Sequence, residues 1–352
     1  MRFSLSIALA TSLTILGTAC PPTLSRPESA AHLDALAEGE RHTRHGRHEE
    51  AIRAFAAAAE SADRRVDRDE ALYRQSRALR DAGRDDEAIV ILDAIAATRP
   101  PSRRTARALY DAALLRFERT DDVPRALEGF ERVVREHPDD GLGGRALHHW
   151  LGHVEATEGK EAALALLRTL DASLAETTLG DDLLWRAHEL ELALDRRAAA
   201  RATLAHLVER HPYPQGERWD DALLRLAELA QEDGRREEAV AHLEALLQRA
   251  ETTTMMGSYT LPAFPEARLR LARIHRDAGD RTAAAESYEA LVDEFETSRL
   301  RDDALLELSA MQRDAGDRAE ACRTLERVLE ITEVGRAARE ARARHETECT
   351  ED

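Results

Sequence analysis

Fourteen histidines and three cysteines are the side chains of this sequence best suited to metal or nucleophilic chemistry. His42, His45 and His48 recur at three-residue intervals, which would suit a metal cluster if the rings shared one helix face. Gly46 interrupts that run, so a solvated turn is the expectation there. His149 and His153 do share a face, with His148 and Trp150 beside them, and a metal-dependent or hydrolytic centre at this pair is the enzyme alternative. No cysteine or carboxylate completes a ligand shell on that face. Phosphate-cradling glycine loops, a Gly-x-Ser-x-Gly elbow and a His-Glu-x-x-His pair do not occur. The expectation is therefore no catalytic residue, no metal and no cofactor.

The elements that must position these residues follow a tandem repeat. A Gly or Asp ends one apolar-periodic segment and an Ala soon after opens the next, in a unit of about 37 residues. The pairs are Gly46 with Ala51, Gly83 with Ala88, Asp121 with Ala126, and Gly159 with Ala163. They continue as Asp195 with Ala200, Gly234 with Ala239, Gly279 with Ala284, and Gly316 with Ala321. In the sixth unit Leu223, Leu226, Ala227 and Ala230 precede the turn at helical spacing, and Ala239, Leu243, Leu246 and Leu247 follow it. Each unit thus reads as two antiparallel helices. Small residues stand where the helices cross, as in Ser76 with Ala88, Ala227 with Ala239 and Ala272 with Ala284. Larger ones fill the groove one turn later: Phe55, Leu92, Phe130, Leu204, Leu243, Tyr288 and Leu325. Pro100, Pro138 and Pro212 stop three of the second helices.

The small residue, glycine turn, alanine, large apolar residue and terminal proline together resemble the tetratricopeptide repeat (TPR), whose basic length is about 34 residues. The extra residues lie between repeats, as in His137-Pro138-Asp139-Asp140 and Phe295-Glu296-Thr297-Ser298. Such linkers are similar to those of bacterial periplasmic TPR proteins, notably the outer-membrane β-barrel-assembly lipoprotein and the Tol-Pal-associated coordinator protein. The former family usually has five repeats where eight are counted here, so a specific role in barrel assembly does not carry over. The resemblance implies an all-α fold: a right-handed TPR-like α-solenoid of about eight helical hairpins over residues 30–332. It also implies that the first helix of each unit lines a concave partner-binding groove. That places Tyr73, Arg77, Arg80, His149, His153, Trp185, Glu189, Glu228, Arg273, Arg276 and Arg313 towards a ligand. Between the sixth and seventh turns the interval lengthens, and residues 252–264 form an uncharged, apolar insertion. Its Met255, Met256, Tyr259 and Phe264 are expected to contact a partner or fold back into the groove, with a loop packed against its own repeats as the alternative.

Ahead of the repeats, Arg2, an apolar run from Phe3 to Leu16 and Gly17-Thr18-Ala19 have the order of a signal peptide over residues 1–19. Cys20 after small residues resembles a lipobox, with Gly17 where Leu is usual. That resemblance implies a diacylglyceryl thioether and an amide-linked chain on Cys20, enough for stable anchoring. Residues 20–29 then read as an extended tether. Pro21, where Asp would otherwise stand, favours the outer membrane by analogy with lipoprotein sorting, so the chain is expected to be exported and to face the periplasm. A soluble periplasmic or secreted protein is the alternative.

At the other end, residues 333–352 read as a capping helix followed by a polar tail. If that helix folds back, Cys349 arrives near Cys322 as a candidate disulfide; the alternative is two unrelated thiols. The formal charge of −18, with Lys160 the one lysine, argues against nucleic acid as a main partner. With only 4% aromatic residues the core must be built from Leu and Ala on amphipathic helices. A non-enzymatic scaffold or adaptor for a protein or peptide of the cell envelope is the function these features imply, with a homo-oligomeric structural element as a further alternative.

Overall fold

The computed structural model describes residues 29–120, 122–248 and 263–349. The expected signal segment, Cys20, Met255, Met256 and Tyr259 lie outside the described residues. All elements among those described are helices. They fall into two compact units, one ending at Asp122 and the other beginning at Val123. The first holds α1 (Ala30–Arg44), α2 (His48–Glu60), α3 (Arg65–Asp81), α4 (Asp85–Ala97) and α5 (Thr105–Arg119). The second opens with α6 (Val123–Glu136), α7 (Leu142–Glu158), α8 (Lys160–Leu174), α9 (Gly180–Ala193), α10 (Arg197–Arg210) and α11 (Trp219–Glu232). It continues with α12 (Arg236–Leu247), α13 (Ala263–Asp277), α14 (Arg281–Glu294), α15 (Arg301–Asp314), α16 (Arg318–Ile331) and α17 (Arg336–Glu348). Within each unit every helix packs on the one that follows it, the nearest-neighbour contact pattern of a solenoid.

Local chemistry fixes the turns inside each hairpin. After α11, Gly234 takes a φ of 72°, its N–H donates to the Gln231 carbonyl at 2.9 Å, and the Arg235 N–H reaches back to the Ala230 carbonyl at 2.8 Å. This left-handed cap satisfies carbonyls that the helix end would otherwise leave open, and glycine adopts it without a Cβ penalty. Asp195 makes the same turn with a φ of 58° and an Arg196 N–H to Glu191 carbonyl bond of 2.8 Å, although it carries a side chain.

Packing follows the alternation of small and large residues. Ser76, Ala88, Ala227, Ala239, Ala272 and Ala284 are fully buried, as are Leu92, Phe130, Leu204, Leu243, Tyr288 and Leu325. Side chains without bulk let the two backbones of a hairpin approach, and the groove so formed receives the large residue, worth roughly 1.5–3 kcal/mol of burial each. Where serine takes the small position its hydroxyl turns back on its own helix: Ser76 donates to the Tyr73 carbonyl at 2.7 Å and Ser309 to the Leu306 carbonyl at 2.8 Å. In the first hairpin the small position is Gly39, and a Cβ there would stand 2.5 Å from the Phe55 ring. Phenylalanine in that groove therefore requires a residue with no side chain opposite.

The C-terminal helix α17 packs on α16 and α15. Ala337, Ala338 and Ala341 form its buried stripe. Cys349, at its end, is joined to Cys322 on α16, with 5.7 Å between their Cα atoms.

Candidate interaction surface

The first helix of each hairpin presents one face to its neighbours and leaves another at the surface, and the residues expected to form a groove divide between those faces. Arg77, Glu189 and Arg313 are exposed; Arg80, His149, His153, Trp185, Glu228, Arg273 and Arg276 are half-buried. Tyr73 is a correction. It is only 6% exposed, and its hydroxyl donates to Asp111 Oδ2 at 2.9 Å. The Arg104 guanidinium lies 4.5 Å above its ring. Tyr73 precedes the small residue Ser76 as Leu269 precedes Ala272 and Leu306 precedes Ser309, and both of those leucines are buried, whereas Leu36 and Leu224 at the same place are half-buried. Phe264 is a second correction: it is 2% exposed in the first turn of α13 and belongs to the core around Tyr288, Leu291 and Leu305, not to a partner-contacting insertion.

Arg273, Arg276 and Arg313 are held by carboxylates of other helices. Glu307 on α15 accepts from Arg273 Nη2 at 2.6 Å, Arg276 Nη1 at 2.8 Å and the Tyr288 hydroxyl at 2.9 Å. Burial pushes this carboxyl up, but the hydrogen bonds from Arg273 and Tyr288 and the two guanidinium charges outweigh it, so its pKa lies below the usual 4.5. Burial in turn raises the Tyr288 phenol, and the carboxylate beside it raises it further. Glu228 lies 2.6 Å from Arg225 and 2.6 Å from Arg270. Arg313 reaches Glu348 of α17 at 3.0 Å.

Aromatic candidates are engaged as well. The Trp185 ring meets the edge of His188 at 4.4 Å, with Arg218 at 5.7 Å over its face, and Glu189 pairs with Arg186 at 2.8 Å. His149 stacks on Phe130 at 5.0 Å between ring centroids, and the His153 carbonyl accepts from Thr157. Among the described residues no group of three His, Cys, Asp or Glu side chains is placed to hold a metal ion. Nor is any described helix long and apolar enough to cross a membrane.

A second polar cluster lies in the first unit. Glu70 is buried and forked by Arg104 at 2.6 and 2.8 Å, with Arg74 Nε at 3.1 Å and Arg103 at 3.2 Å. Burial raises the Glu70 carboxyl, yet the arginines hold its pKa below the ordinary range. Arg74 is lowered by burial and by repulsion from Arg104, Arg77 and Arg103. The sequence signal for this cluster is the arginine density of α3 and of Arg103-Arg104, but which arginine meets which acid depends on the register between helices.

The geometry is that of stacked helical hairpins with polar outer faces, and comparison with known proteins agrees. A tetratricopeptide repeat model matches residues 36–103, 224–299 and 269–333, which is more than half of the chain, and a second such model matches residues 107–140. The chain belongs to the tetratricopeptide repeat family. Its fold is the all-α TPR solenoid, and the family's common property is to bind protein or peptide partners.

Among solved structures, a TPR protein from Parabacteroides merdae aligns at 13% identity over 80% of this chain and 99% of its own, with a TM-score of 0.35. The C-terminal part of a TPR protein from Cytophaga hutchinsonii aligns at 12% identity over 77% of this chain and 99% of its own, with a TM-score of 0.44. YrrB, described as a TPR protein with an unusual peptide-binding site, aligns at 14% identity over 62% and 99%, with a TM-score of 0.38. No curated protein matches the sequence.

Proposed function

We propose that this TPR protein is a non-enzymatic scaffold of the bacterial cell envelope, exported by its N-terminal signal and held at the outer membrane through lipid on Cys20. Its hairpins face the periplasm and engage a protein or peptide of the envelope. The observation that carries the scaffold reading is the repeat itself. Apolar side chains are consumed between helices, while long side chains such as Arg77 in the first unit and Glu189 in the second stay exposed, which suits recognition of another chain. Support for the envelope comes from the order of charge, apolar run and small residues before Cys20. A kinship in role with periplasmic TPR lipoproteins is part of the proposal and rests on the inter-repeat linkers.

Growth of a bacterial host in radioactive palmitate tests the anchor. The wild-type chain is expected to take up label and to fractionate with the outer membrane, and Cys20→Ala to do neither. Soluble release of both forms without label would remove the anchor from the proposal. For the partner, a photo-crosslinking residue at position 185 or 189 is expected to trap a defined envelope protein.

A further inference from the structure

In the second unit, Gly152, Ala227, Ala272 and Ser309 stand seven residues before the turns at Gly159, Gly234, Gly279 and Gly316, and all four are small. His188 holds that place before Asp195. Ala200, five residues past the turn, matches Ala239, Ala284 and Ala321 and is fully buried. An imidazole therefore stands where α9 and α10 approach most closely. It is 2% exposed, and its Nδ1 is buried without a hydrogen bond of good geometry.

The charged groups around His188 are committed elsewhere. Glu191 of its own helix accepts from Arg168 of α8 at 3.1 Å and from the Thr203 hydroxyl of α10 at 2.7 Å. Glu189 pairs with Arg186, and Arg225 of α11 with Glu228. The arginines of α10 turn to other acids: Arg197 to Glu232 and Asp233, Arg201 to Glu238, and Arg210 to Asp171. Trp185 lies beside the imidazole but already carries Arg218 over its face, so a second cation there meets repulsion. Burial lowers the His188 pKa and Arg225 lowers it further, while Glu189, Glu191 and the Trp185 carbonyl compensate only in part.

The open end of the same hairpin repeats the arrangement. His211 follows the last residue of α10 and lies against the first residue of α9, where a Cβ on Gly180 would stand 2.8 Å from its Cε1. Its Nε2 is buried and unpartnered. Burial lowers this pKa too, with help from Arg210 and against Asp181, Glu176 and Asp171. Asp181 is spent on the backbone N–H groups of Glu217 and Arg218, at 2.7 and 3.1 Å, and Asp171 on Arg210.

We propose that the hairpin α9–α10 is an acid-sensitive joint, in which protonation of His188 and His211 opens the seam between the two helices and uncouples α6–α8 from α11–α17. This goes beyond the scaffold reading and does not depend on it, since the joint belongs to the chain whatever the chain binds. A cation formed in the seam has no free partner and must reach water, so the helices part. In a solenoid each hairpin is coupled only to its neighbours, so one open hairpin divides the row. The sign follows from the lowered pKa values. The closed seam is fully stable above the unfolded imidazole value of about 6.5, loses stability as the pH falls below it, and levels off below the folded value.

The test is hydrogen exchange of the purified full-length protein between about pH 7 and about pH 5, with each rate divided by its intrinsic value. Opening of α9 and α10 should rise at least about threefold; one histidine can supply at most about thirtyfold at that lower pH. Helices α14–α16, which contain no histidine, should not follow. His188→Ala installs the small residue used by other hairpins, and combined with His211→Asn it should abolish the pH dependence in α9 and α10. A smaller rise, an equal rise in α14–α16, or a pH dependence that survives in the double variant would overturn the joint. The wild-type chain gives a reading that needs no variant. In an NMR titration His188 should stay mostly neutral at about pH 6, where a free imidazole is mostly protonated, and titration at the free value would also overturn the proposal.

Discussion

Replacing Glu307 by alanine tests how the second unit is held together. Three groups from two other helices converge on this carboxylate, and they lose different amounts. Tyr288 is completely buried, so its hydroxyl loses its acceptor with no water to replace it, at about 1–3 kcal/mol. Arg273 and Arg276 have side chains 40% and 36% exposed and can be resolvated, so each ion pair accounts for only about 0.2–1 kcal/mol. The sum is about 3 kcal/mol. Adding Tyr288→Phe removes the orphaned hydroxyl, so the double variant should be no less stable than Glu307→Ala alone, a coupling of about 1–2 kcal/mol.

Because repeat arrays do not melt as one cooperative block, the assay is hydrogen exchange resolved to α13, α14 and α15. The pH dependence has a definite sign. The folded carboxyl lies below its ordinary 4.5, so its contribution is fully present above pH 4.5 and is lost as the pH falls through the folded value. In Glu307→Ala that acid-dependent part of the exchange profile should vanish. A loss under about 0.5 kcal/mol in all three helices, or strictly additive costs in the double variant, would refute the account.

Two further outcomes follow from the caps and the cross-link. Cys322→Ser, or reduction of the wild type, opens a loop with a sequence separation of 27 and should destabilise the docking of α17 by about 3.5 kcal/mol. Exchange should rise in α17 and stay unchanged in α1–α5; uniform change across both units would contradict it. Asp195→Gly removes a side chain from a left-handed turn and should raise stability by about 0.5–1 kcal/mol, read as a higher melting temperature for α9–α10. A lower melting temperature would show that the Asp195 side chain itself stabilises the turn.

Hairpin identity was legible because its determinants are local. The turn at Gly234 and the burial of Ala227, Ala239 and Leu243 depend on residues within one helix pair, where helical periodicity and the left-handed cap act over a few positions. The same frame does not settle Tyr73, since at its position Leu269 and Leu306 are buried while Leu36 and Leu224 are half-buried, and the burial of its ring is decided by the packing around Asp111 and Arg104. Phe264 reads as part of an apolar insertion only because the helix start at Ala263 lacks a sequence marker strong enough to claim it.

The sequence by itself determined where the hairpins turn, which small and large residues meet inside a hairpin, and that the chain repeats as TPR units. Only the tertiary structure decided which charges cancel. Glu307 closes on both Arg273 and Arg276, whereas Asp111 accepts from the Tyr73 hydroxyl and comes no closer than 4.0 Å to Arg80. Ion-pair partnership varies over ångströms set by inter-helix register, whereas hydrophobic periodicity averages over whole turns and survives such shifts.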